Sequence, residues 1–129
     1  MDKPLQHSPL GVHLIVELYG CLRERLNNSA WLDATLVAAA SEAGATVVSS
    51  SFHHFSPQGV SGVVIIAESH ITIHTWPEIG YAALDVFTCG KPDLTDRIAE
   101  KIVERLEAEP VQRNTIQRGV MQHESLLTR

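Results

Sequence analysis

Apolar and polar residues alternate with period two over residues 11 to 19, "GVHLIVELY", placing Val12, Leu14, Val16 and Leu18 on one face and predicting a half-buried strand. The spacing turns helical over residues 29 to 43, where Leu32, Leu36, Ala39, Ala40 and Ala43 form one stripe. Asn28 or Ser29 can cap this helix, and Gly44 stands just past its end. Four β-rich runs follow, 45 to 55, 60 to 67, 70 to 76 and 81 to 89, with "SPQG" and "PEIG" as turn signals between them. Connections this short suit antiparallel pairing, because a parallel crossover takes a dozen or more residues. A second helix is predicted over about 94 to 108, with Leu94, Ile98, Ile102 and Leu106 along one line and Asp93 or Thr95 as cap, and the run "NTIQRGV" adds a short edge strand.

The element order β-α-β-β-β-β-α-β predicts an α+β fold, a two-layer arrangement of an antiparallel sheet with two helices on one face. The other face is left uncovered. An apolar sheet face needs a partner, so the expected assembly is a homodimer that stacks two sheets between outer helices, an αββα sandwich.

Composition narrows the partners. The 129 residues suit one domain spanning 1–129, and the net charge of −5 comes with no cluster of lysines or arginines. Nucleic acid and anionic membrane are therefore not expected as partners. No apolar run approaches the roughly 20 residues of a membrane span, and no apolar leader follows the first residues. Cys21 and Cys89 are far apart and form no CxxC motif, so a reducing, cytoplasmic location is expected.

One segment resists this pattern. In "GVVIIAESHITIHTWPE", residues 62 to 78, two apolar runs are interrupted by Glu68, Ser69 and His70. A tight turn is the simplest account, but hairpin turns favour Gly, Asn or Asp, and none is present. A serine whose hydroxyl faces the preceding carbonyl can instead attack it, especially if that peptide is strained.

The run "FHHFSPQGVSGVVIIAESHITIHTWPEIGYAALDVFTCG", residues 52 to 90, resembles the core signature of the prokaryotic pyruvoyl-dependent S-adenosylmethionine decarboxylase proenzymes. "GVHLIVELYGC" resembles that family's first strand. The likeness covers most of the first 90 residues and is ungapped through the motifs; Lys91 stands where it implies an acidic or polar residue. The resemblance implies self-cleavage between Glu68 and Ser69. Ser69 Oγ attacks the Glu68 carbonyl to form an ester, and loss of the Ser69 Cα proton expels the Glu68 carboxylate. The resulting dehydroalanine hydrolyses to a pyruvoyl group. Two chains result, 1–68 and a pyruvoyl-blocked 69–129, each the other's partner in one sheet.

By the same resemblance His74 is the processing base and Ser61 assists cleavage by hydrogen bonding the attacked carbonyl. Cys89 donates the proton that returns to the substrate. Imidazole is substantially neutral and a free thiol protonated near neutrality, as these two roles require. Ser69 and His74 are an odd number apart, which on a regular strand puts them on opposite faces, so a bulge or bend near His70, or a partner strand, is expected to join them. The resemblance also implies that Phe55 and Trp76 stack the adenine of S-adenosylmethionine and that Glu78 accepts its ribose hydroxyls. The pyruvoyl ketone does the work of pyridoxal phosphate, for which none of the lysines, Lys3, Lys91 and Lys101, offers a site in the motifs.

A metal site is not expected. His53, His54, His70, His74, Glu68 and Cys89 are potential ligands, but none pair at helical spacing, and His70 and His74 would lie about 13 Å apart on a strand. Two other functions stay open on the sequence: a pyruvoyl decarboxylase of arginine or ornithine, and an uncleaved, non-enzymatic S-adenosylmethionine-binding relative. The decarboxylated nucleoside would supply aminopropyl groups for spermidine synthesis.

Overall fold

The computed structural model describes residues 9–89 and 91–120; residues 1–8, 90 and 121–129, with Lys3 among them, lie outside. Six strands form one antiparallel sheet: β1 (Gly11–Leu18), β2 (Val47–His54), β3 (Val60–Ile66), β4 (Ser69–Trp76), β5 (Tyr81–Thr88) and β6 (Val111–Arg118). Their spatial order is β2-β3-β4-β5-β1-β6. Three helices accompany them: α1 (Arg23–Leu26), α2 (Ser29–Glu42) and α3 (Pro92–Leu106).

The two long helices cover one sheet face, α2 over β2 and β3 and α3 over β1 and β5. Leu32, Leu36, Ala39 and Ala40 of α2 are wholly buried, and the alanines let the helix approach the sheet closely. Asn28 caps α2 by accepting from the Trp31 N–H at 2.9 Å, a contact worth about 1 kcal/mol. Helix α3 starts two residues earlier than the sequence implies and has no side-chain cap. Pro92 serves as its first residue, where a missing N–H costs nothing, and Thr95 is instead bonded to Thr88. It ends at Leu106, because Glu107 turns left-handed at φ 49°. The last strand, β6, is longer than predicted and pairs with β1 over its full length.

Alternation in the central strands decides what the sheet shows on each side. Val12, Leu14, Val16 and Leu18 face the helices, as do Ala82, Leu84 and Val86 of β5 and Ile71 and Ile73 of β4. The opposite face carries the partly exposed positions of the same strands, His70, Thr72, His74 and Trp76 on β4 among them. No helix among the described residues is long and apolar enough to cross a membrane.

Gly62 of β3 sits opposite Phe52 of β2, and a Cβ there would meet the Phe52 ring at 2.1 Å. Gly62→Ala must therefore displace a ring packed against the core, which should cost about 1–3 kcal/mol. A urea midpoint unchanged from that of the unsubstituted protein would show that the ring is free to move aside.

Candidate active site

The polar interruption is the end of a hairpin. Strands β3 and β4 pair without a break from Ser61 opposite His74 to Ile66 opposite Ser69, so only Ala67 and Glu68 form the loop. A two-residue hairpin loop requires left-handed backbone, and it falls on Glu68, at φ 61°. For a residue with a side chain this conformation costs on the order of 1–3 kcal/mol. The strain is stored on the residue that supplies the carbonyl of the Glu68–Ser69 bond.

Ser69 is already the first residue of β4, one position earlier than its sequence suggests. Its Oγ accepts a hydrogen bond from the Cys89 N–H at 3.3 Å, which brings the serine and the thiol-bearing residue together at one end of the sheet. Glu68, Ser69 and Cys89 line one cavity of about 80 Å³, closed in by Lys91 and Leu94 from the side of α3. One water needs about 10–15 Å³ of such space, so the cavity has room for ordered water.

His74 is not there. Strand β4 runs regularly through His70, with no bulge, so the bend expected at that position does not exist. Five strand steps separate Ser69 from His74, about 17 Å at the usual rise, and the two belong to opposite faces. What His74 does meet is Ser61 on the neighbouring strand, with Oγ 2.7 Å from Nδ1. In the tautomer protonated at Nε2, the hydroxyl donates to that nitrogen.

A second cavity, of about 270 Å³, gathers Phe55, Ser61, His74, Trp76 and Glu78. Its size approaches the lower end of small-molecule pockets. Phe55 and Trp76 are 47% and 43% exposed, so both rings offer free faces to a flat ligand. Each is held from behind. The Phe55 ring meets His53 edge-on at 4.5 Å, and Trp76 leans on Tyr81 at 5.2 Å. The Tyr81 hydroxyl donates to Glu17 Oε2 at 2.6 Å; burial above all, then the Glu17 carboxylate, pushes its pKa up to about 12, so it stays a donor. Glu78 lies in the single turn Pro77–Ile79 that follows Trp76, closed by Gly80 in the left-handed region at φ 66°. The candidate residues thus fall into two constellations at different places on the β3–β4 hairpin.

The sequence reading missed Thr75 and Asn27. Thr75 is buried on the helix side, where Ile71 and Ile73 precede it; its hydroxyl donates to the Leu26 carbonyl at 2.7 Å and accepts from the Val60 N–H at 2.9 Å. A hydroxyl continuing a series of buried isoleucines was the available signal.

A two-layer α+β protein with a strained hairpin tip beside a serine and a thiol, and a separate aromatic pocket, defines a narrow class. The sequence pattern described as S-adenosylmethionine decarboxylase matches residues 12–119. The S-adenosylmethionine decarboxylase proenzyme of Caldicellulosiruptor saccharolyticus is 51% identical over 113 residues, covering 88% of this chain and 91% of that one. The proenzyme of the same name from Clostridium kluyveri is 49% identical over 120 residues, covering 89% and 91%. The crystal structure of the adenosylmethionine decarboxylase from Aquifex aeolicus superposes with a TM-score of 0.84 at 35% identity, over 89% of this chain and 95% of that chain. The chain belongs to the S-adenosylmethionine decarboxylase family.

Proposed function

We propose that this protein is a cytoplasmic S-adenosylmethionine decarboxylase that makes its own pyruvoyl group by breaking the Glu68–Ser69 bond, and whose product serves spermidine synthesis. The observation that carries the reading is the single cavity shared by Phe55, Trp76, Glu78, Ser61 and His74. Two aromatic faces and a carboxylate suit an adenosine, each stacked ring being worth roughly 1–3 kcal/mol. A sulfonium beside such a ring gains about 0.5–2 kcal/mol more. Arginine and ornithine carry no flat ring to use this clamp.

The residues at the hairpin tip fit a serine-derived group. The Cys89 N–H holds Ser69 Oγ, the left-handed Glu68 stores strain in the bond to be cut, and the cavity has room for the water that the final hydrolysis consumes. A pyruvoyl group at position 69 would supply an electrophilic ketone that accepts the electron pair released as carbon dioxide departs. In this role Cys89, which lines the same cavity, returns a proton to the substrate Cα.

His74 serves Ser69 of a second copy in this reading. Within one chain the two are far apart, whereas Ser61 and His74 look out from the sheet face that no helix among the described residues covers. Ile15, Val63, Phe87 and Ile65 lie on that same face, the last of them exposed, which suits a stacked partner sheet. The scissile bond lies in the turn beyond the sheet, where a facing protomer can reach it. A homodimer of this kind completes two active sites, each built from both protomers.

Release of labelled carbon dioxide from carboxyl-labelled S-adenosylmethionine, measured beside arginine and ornithine, tests the substrate. Release from S-adenosylmethionine alone is expected; release from either amino acid at a comparable rate would overturn the assignment.

A further inference from the structure

We infer that Asn27 is a positioning residue for the substrate pocket, setting from the end of α1 the loop that carries Phe55; the inference rests on the function proposed above. Asn27 is not among the residues that line the cavity. Its Oδ1 accepts from the Gly59 N–H at 3.0 Å and lies 2.9 Å from His54 Nε2. A backbone N–H can only donate, so the amide oxygen must be the atom that points there, and the histidine in turn donates through Nε2. One oxygen therefore grips both feet of the loop, His54 immediately before Phe55 and Gly59 at its far end.

The ladder pair of His54 with Val60 and the His53 ring against Phe55 set the base of the loop, and Asn27 adds the link to α1. Phe55 N–H donates to the Gly59 carbonyl at 2.8 Å, closing residues 55–59 on themselves, so whatever sets Gly59 sets Phe55. Gly59 is at φ 107°, a backbone region that side chains rarely adopt, and Asn27 bonds its N–H in that conformation. The support behind Asn27 is firm. Leu26 is wholly buried, its carbonyl accepts from Thr75, and Arg25 Nη1 reaches the Arg105 carbonyl at 2.7 Å. Thr75 lies next to Trp76, so the end of α1 holds both sides of the aromatic clamp. Asn27 supplies the contact on the Phe55 side.

The test compares Asn27→Leu, which keeps the bulk and loses the oxygen, with Asn27→Asp, which keeps an acceptor, both as fully processed enzyme. Losing two hydrogen bonds at the loop should raise KM for S-adenosylmethionine about tenfold in Asn27→Leu. The rate of self-cleavage and kcat should not change, and Asn27→Asp should restore KM to near the unsubstituted value. Unchanged KM in Asn27→Leu, equal KM in the two variants, or a joint fall of cleavage, kcat and folding in both would overturn the inference. If the unsubstituted enzyme fails to decarboxylate S-adenosylmethionine, the functional reading fails first, and this one with it.

Discussion

Ser69→Ala should leave one uncut chain of 14.2 kDa and no decarboxylation. The unsubstituted protein should instead separate, on denaturation, into chains of 68 and 61 residues, the second blocked at its N-terminus. The reason is chemical. Without the hydroxyl there is no atom to take the Glu68 acyl group, so neither the ester nor the elimination can form. Without cleavage there is no ketone, and activity should fall by at least about four orders of magnitude, to the level of the assay blank. Position 69 lies at the start of β4, where alanine keeps the backbone pairing with Ile66, so circular dichroism should be close to normal. Intact mass spectrometry decides the matter; an alanine variant still split after Glu68 would remove Ser69 from its role.

The two halves of this prediction had different visibility in the chain. The strands of the hairpin were legible because one face of each is buried, and burial with period two writes itself into the residues, as in Ile71 and Ile73. The Asn28 cap and the leucine and alanine stripe of α2 were legible for the same reason. Strand β6 was only partly legible: most of "VQRNTIQR" is exposed, and an edge strand with little to bury carries little alternation. Helix α1, at four residues, is too short to establish a period.

At the site, residue types were legible and their partition was not. Phe55, Trp76 and Glu78, expected to bind the nucleoside, share one cavity with Ser61 and His74, expected to serve processing, although the five come from two segments of the chain. Ser69 and His74, five residues apart in one strand, are the pair that separates. The family resemblance implied contact, whereas strand parity put them on opposite faces, and the unbroken ladder gives parity the decision within one chain. Asn27 had no local signal, since its role depends on a loop some 30 residues away whose position only the folded chain sets.

That separation leads to the second large effect. Co-expressing Ser69→Ala chains with His74→Ala chains should restore processing and activity that neither variant has alone. In a two-fold dimer whose sites are built across the interface, each mixed dimer has one site lacking both residues and one site intact. The intact site joins Ser69 of the His74→Ala chain to His74 of the Ser69→Ala chain. Random pairing makes about half of the dimers mixed, so about half of the His74→Ala chains should be cut and about a quarter of the unsubstituted activity should return. The Ser69→Ala chain should stay whole throughout, which fixes which chain receives the base. If both residues acted within one chain, every site in every dimer would lack one of them, and co-expression would yield neither fragments nor carbon dioxide. Recovery also depends on the sheets meeting face to face. An Ile65→Glu substitution on that face, carried by both chains, should abolish the recovery and convert the dimer to a monomer in sedimentation, because each interface would then bury two unpaired carboxylates.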